Sequence, residues 1–241
     1  MMPISDSNSV RQQLVENLQS ARARIAAACQ RVGRSAADVQ LVAVTKYTPL
    51  GTVKELVDLG HLALGENRPQ QLVQRKEQLA NEVHWHLIGQ LQRNKVRQVL
   101  PAVSLIHSVD SFKLLRHIDR IAGELELAAK VLVQVNVSGE ESKSGFSVAD
   151  LKASWGKFTG LNHLRVTGLM TMAPHTDDEE LIRSTFRGLR HLRDDLNSQT
   201  DSDELRELSM GMSGDFEIAI EEGATLVRLG SILFQGCDAD D

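Results

Sequence analysis

The strongest constraint in this chain is a repeated alternation of element type. Short apolar runs occur at residues 41–45, 62–64, 84–88, 104–107, 131–137, 164–168, 207–209 and 226–229. Helix-like stretches lie between them, among them 52–59, 69–79, 95–100, 112–122, 179–196 and 216–222. Strand then helix, repeated, is the pattern of parallel βα units. The spacing of strand starts, roughly 20 to 40 residues, suits the crossover that parallel pairing needs. Eight such units closing on themselves predict a (β/α)8 TIM barrel. An open doubly wound sheet would normally use fewer strands. Residues 10–32 add a helix before the barrel, with Leu14, Leu18, Ala21, Ile25 and Ala28 at helical spacing and Gly33 as its stop. Helix and barrel, the latter about 41–236, use nearly all 241 residues, which predicts a single domain over 1–241.

Composition narrows the function classes. Lys plus Arg total 27 against 32 Asp plus Glu, a net charge of -5. That balance argues against a dedicated nucleic-acid binder, whose footprint is basic. No run reaches the roughly 20 apolar residues of a membrane span, and residues 1–10 lack the basic and apolar regions of a secretory signal. Cys29 and Cys237 match no metal or redox spacing and read as free thiols of a cytoplasmic protein. Residues 200–203 are the most loop-like internal stretch, and the acidic tail 238–241 reads as frayed.

Chemistry in a parallel barrel collects at the C-terminal strand ends. Lys46 stands there after the first strand, on the face shared by Val42 and Val44. An inward-facing lysine is partly desolvated, which favours the neutral amine that attacks a carbonyl. A lone lysine would more simply snorkel to solvent; its company shifts the balance. Turns bearing Ser209, Gly211, Ser213 and Gly214, and then Gly230 and Ser231, follow the seventh and eighth strands. Such turns bind phosphate through free backbone N–H groups, although the same groups also serve to cap a helix. Arg228 should point inward and needs an acceptor, either a ligand or an ion-pair partner. His84 and His86 could form half of a metal site, but no third ligand appears, so hydrogen-bonded histidines are expected and no metal. The alternating Met170, Met172, Met210 and Met212 read as pocket lining or core. An imine lysine, a phosphate cradle and a facing arginine fit a phosphorylated aldehyde, for which pyridoxal 5'-phosphate (PLP) is the obvious candidate. Sugar-phosphate aldolases combine similar parts and remain the competitor at this point.

The motifs then resemble those of the pyridoxal phosphate homeostasis family. The matching segments include Leu41-Val-Ala-Val-Thr-Lys46, Gly65-Glu-Asn67, His84-Trp-His-Leu-Ile-Gly89, Gln134-Val-Asn-Val-Ser-Gly139, Leu208-Ser-Met-Gly-Met-Ser-Gly-Asp215 and Val227-Arg-Leu-Gly230. The resemblance runs from about residue 41 to 236. It implies a barrel like the N-terminal domain of alanine racemase, with PLP as an imine of Lys46. It further implies a phosphate loop of Ser209, Met210 and Ser213, a second loop of Gly230 and Ser231, Arg228 facing the pyridine nitrogen, and Asn67 and His86 lining the pocket. Thr48 stands where many members carry a second lysine, and Arg68 and Pro69 follow Asn67 where many have an aromatic residue. Lys143 remains a candidate for secondary contact. The resemblance implies a non-enzymatic holder of PLP that passes it to apo-enzymes, with no catalytic residues; the sequence shows no obligate interface pattern, which favours a monomer. A racemase is the alternative and an aldolase the next. Racemisation needs a second base opposite the lysine, and the single tyrosine, Tyr47, is expected to turn away from the ligand.

Overall fold

The computed structural model describes residues 6–79, 82–140, 143–158, 160–200 and 205–237. Eight parallel strands form the barrel: β1 (Gln40–Val44), β2 (Ala63–Glu66), β3 (His84–Leu87), β4 (Leu105–Val109), β5 (Ala129–Asn136), β7 (Leu164–Met170), β8 (Glu207–Ser209) and β9 (Leu226–Leu229). They pair in chain order, and the β1–β9 and β4–β5 pairings close the ring. The two-residue β6 (Phe146–Ser147) pairs with the C-terminal end of β5, outside this count. The predicted (β/α)8 barrel is therefore the observed fold. Strand ends differ from the sequence reading by at most two residues, which is ordinary for boundaries read from pattern.

Crossover helices cover the outside: α2 (Leu50–Asp58), α3 (Pro69–Gln78), α4 (Val96–Val99), α5 (Phe112–Glu124), α6 (Val148–Ser154), α7 (Glu179–Thr200) and α8 (Phe216–Glu221). Helix α6 was not anticipated. It is seven residues long and buries only Leu151, too little for a periodic signal. The last unit ends in α9 (Ser231–Phe234), a single turn. Helix α1 (Asp6–Arg31) lies against α8, α9 and α2 and covers the barrel beside that short element. Arg24 pairs with Glu217 at 2.8 Å and Arg11 with Glu55 at 2.7 Å, while Asn17 donates to the carbonyls of Leu233 and Gln235. The loop-like residues 201–203 and the tail 238–241 lie outside the described residues.

Strand alternation sorts the interior. Leu41, Ala43, Leu64 and Leu87 pack into the large core between strands and helices. Val42, Leu105, Leu132, Met170 and Leu226 form a separate cluster inside the barrel. Two residues further along three of these strands, toward the C-terminal mouth, the inward positions become polar. His107 follows Leu105, Gln134 follows Leu132 and Arg228 follows Leu226. The site therefore sits on an apolar plug.

Candidate functional site

A cavity of about 1140 Å3 opens at the C-terminal mouth. Of the nine residues expected to contact a cofactor, Lys46, Asn67, Ser213, Arg228, Gly230 and Ser231 line it. Lys46 follows β1 in a turn and is half-buried, as the alternation from Val42 and Val44 predicts. Its Nζ lies 5.0 Å from the centroid of the Tyr47 ring. Tyr47 also lines the mouth, with 80% of its surface exposed. The expectation that it turns away is corrected here, because the chain leaves the strand at Lys46 and strand alternation ends with it.

Two turns face Lys46 across the mouth. Ser213 Oγ accepts from Gly230 N–H at 3.4 Å, which ties the turn after β8 to the turn after β9. Asp215 Oδ1 accepts from Met212 N–H at 2.6 Å and fixes the first turn. Gly211 adopts φ of 93°, a left-handed conformation, and a Cβ there would meet Ala219 at 2.6 Å. Among the described residues, the backbone N–H groups of Ser213, Gly214 and Ser231 have no acceptor. This arrangement is suited to an anion. Gly89 is needed on the opposite side, where a Cβ would lie 2.1 Å from the Asn67 carbonyl oxygen.

The other three candidates do not line the cavity. Met210 is fully buried in the core between strands and helices. Ser209 and His86 lie beneath the cavity floor in a buried chain of hydrogen bonds. Arg228 Nη1 donates to Ser209 Oγ at 2.6 Å, and Nη2 donates to the Thr171 carbonyl at 3.0 Å. Ser209 Oγ meets His107 Nδ1 at 2.8 Å, and His107 Nε2 meets His86 Nδ1 at 2.9 Å. An arginine can only donate. Ser209 Oγ therefore accepts from Arg228, and one proton bridges each of the Ser209–His107 and His107–His86 contacts.

Burial lowers Arg228 to about 10, with Asp215 working against the shift, so it stays cationic at neutral pH. Burial lowers His86 to about 4 and His107 well below its ordinary value, with Arg228 adding to the second shift. Both rings are neutral. Ser209→Ala would leave a guanidinium nitrogen and an imidazole nitrogen short of a partner. We expect a loss of about 1–3 kcal/mol of stability, read as a lower urea midpoint; an unchanged midpoint would contradict the chain.

The sequence reading did not assign His107, Gln134 and Asp110 to the site. The inward alternation of β4 and β5 was the available signal for the first two. His84 is exposed at the start of β3 and is separated in environment from buried His86. Lys143 does line the cavity, but its Nζ donates to Glu140 at 2.7 Å and to the Met172 carbonyl at 3.3 Å.

Comparison with known proteins places this geometry. The profile of the alanine racemase N-terminal domain matches residues 17–238. A pyridoxal phosphate homeostasis protein of Aquifex aeolicus is 41% identical over 220 residues, spanning 91% of this chain and 96% of its own. PipY of Synechococcus elongatus, solved with PLP bound, is similar with a TM-score of 0.81 and 34% identity, over 92% of this chain and 99% of its own. A Bifidobacterium adolescentis protein matches with a TM-score of 0.89 and 40% identity, over 94% and 96% of the two chains. Among the described residues, no helix is long and apolar enough to cross a membrane.

Proposed function

The chain belongs to the pyridoxal phosphate homeostasis protein family, built on the alanine racemase N-terminal domain, and on that premise we propose that it holds PLP at Lys46 as a cytoplasmic, monomeric carrier without evident turnover. The observation that carries this reading is the convergence of Lys46, Arg228 and the two N–H-bearing turns on one cavity. When bound, the cofactor supplies an aldehyde that condenses with a neutral amine, the carbonyl oxygen leaving as water with both amine protons.

The residues present fit such a group. The turns at Ser213, Gly214 and Ser231 would offer N–H donors to the phosphate, and a relative 34% identical to this chain has been solved with PLP bound. Ser213 Oγ and Gly230 keep the turns together. Arg228, cationic and fixed by Ser209 and Thr171, presents positive charge to the ring and discourages protonation of its nitrogen. That weakens the ring as an electron sink and favours holding over turnover. Ser209, His107 and His86 would act on the ligand through Arg228, whose guanidinium Ser209 holds. Asn67 contributes to the wall opposite the turns.

The absence of turnover rests on the groups opposite Lys46. A racemase needs a base on each face of the carbanion. Lys143 is engaged by Glu140 and Met172, Asp110 Oδ1 accepts from Ser111 at 3.1 Å, and Tyr47 lies beside Lys46. The apo forms of PLP-dependent enzymes are the proposed recipients.

The test has two parts. PLP added to the protein should give the visible band of a lysine-bound pyridoxal near about 420 nm, and borohydride should fix its mass on the peptide containing Lys46. L-alanine incubated with the loaded protein should keep its chirality. Label on another lysine would overturn the site, and steady racemisation would overturn the carrier reading.

A further inference from the structure

Lys46 lies just past the end of β1, where a side chain is free to point in several directions unless its turn is held. The Thr45–Thr48 turn is closed by Thr48 N–H donating to the Thr45 carbonyl at 3.0 Å. It is also held from behind, on the side facing the helices. Arg75 of α3 reaches under it with both ends of its guanidinium. Nη1 donates to the Thr45 carbonyl at 2.9 Å and Nη2 to the Thr48 carbonyl at 2.6 Å. These two carbonyls bracket Lys46 and Tyr47. Glu66, at the end of β2, fixes the clamp. Its Oε1 pairs with Arg75 Nη1 at 2.9 Å and accepts from Thr45 Oγ1 at 2.7 Å.

Stability alone does not account for this arrangement. Glu66 is fully buried and Arg75 is 7% exposed. A buried ion pair commonly gives no more stability than apolar residues of the same shape. Here Glu66 Oε2 has no hydrogen-bond partner among the described residues, so part of the desolvation is left uncompensated. Burial pushes the Glu66 carboxyl up and Arg75 down, each countered by the other's charge. The common target of the two side chains is the backbone on either side of Lys46. The fork of a guanidinium can span two carbonyls at fixed separation, and a lysine ammonium cannot.

We propose that Glu66 and Arg75 are positioning residues that lock the Thr45–Thr48 turn and so aim the Lys46 amine into the cavity. The chemistry of this inference rests on Lys46 being the attachment point, while the lock itself does not.

The test compares Arg75→Lys with the parent protein, using PLP, pyridoxine 5'-phosphate (which has no aldehyde) and amide hydrogen exchange. Arg75→Lys should bind pyridoxine 5'-phosphate with little change, since the phosphate turns are untouched. Attachment of PLP to Lys46 should slow by on the order of tenfold or more, because a misplaced nucleophile loses its near-attack geometry. Amide exchange over residues 45–49 should rise by a similar factor, through local opening of the turn. Thr45→Val should show a smaller change in the same direction, and Thr45→Ser, which keeps the hydroxyl, should restore parental behaviour. If Arg75→Lys does not fold, the pair of Thr45 variants carries the comparison. Parental exchange at 45–49 together with parental attachment rate would overturn the lock. Exchange that rises while PLP fails to label Lys46 in the parent protein would sustain the lock and overturn the functional reading instead.

Discussion

Lys46→Ala is expected to abolish the visible band of bound pyridoxal and the borohydride-fixed label together. Alternation places Lys46 on the inward face with Val42 and Val44, and the cavity wall includes Val44 and Lys46 side by side. Among the described residues no carboxylate pairs with its Nζ. The other lysine on the cavity wall, Lys143, is tied to Glu140 and the Met172 carbonyl. Lys143→Ala should therefore leave the band in place. The phosphate turns do not depend on Lys46, so the alanine variant should still bind PLP reversibly. Its affinity should fall by at least about tenfold, equivalent to roughly 1.4 kcal/mol. Dialysis should then remove the ligand from Lys46→Ala and not from the parent. A parental spectrum in Lys46→Ala would remove the basis for the whole site assignment, since among the described residues of the cavity wall no other offers an unengaged amine.

The barrel was legible in the sequence because each strand is a short apolar run and each crossover long enough to return parallel. Lys46, Arg228 and the glycine- and serine-bearing turns were legible because strand ends are where a barrel keeps its chemistry. Ser209 and His86 were singled out as pocket residues, and the fold places them one step deeper, as the chain behind Arg228. Sequence pattern gives the inward face of a strand, but strand tilt and stagger decide the depth at which an inward residue sits. Met210 fell on the opposite face because only one register of β8 puts Ser209 inside. The Glu66–Arg75 clamp was not legible at all. Its parts come from β2, α3 and the turn after β1, and Arg75 lies on a helix whose polar composition reads as an ordinary solvated face. Only the packing of α3 against the barrel buries it.

Acid should destabilise the protein well above the range where surface carboxylates titrate. His61, His86 and His107 are all buried, with at most 8% of any one exposed. Burial lowers His61 and His86 to about 4 each, Arg22 adding to the first and His84 to the second, and lowers His107 well below its usual value. A histidine whose folded pKa lies below its unfolded value of about 6.5 binds its proton more readily in the unfolded chain. Stability from such a group is complete above about pH 6.5 and is lost as pH falls toward 4. Between pH 7 and pH 5 His61 and His86 should each remove roughly 2 kcal/mol, with His107 acting in the same direction, together a large part of an ordinary folding free energy. Glu66 and Asp215, raised by burial, bind protons more readily folded than unfolded and offset part of this loss. Urea unfolding at pH 7, 6 and 5 measures the slope, and stability independent of pH across that range would contradict it. His61→Gln, which removes one titrating ring distant from the site, should flatten the slope by about one proton. His86 takes up a proton in the folded protein only near pH 4, below the range in which the buried histidines have already removed much of the stability. Loss of bound PLP should therefore coincide with loss of secondary structure on acid titration, and ligand loss from a fully folded protein would contradict this.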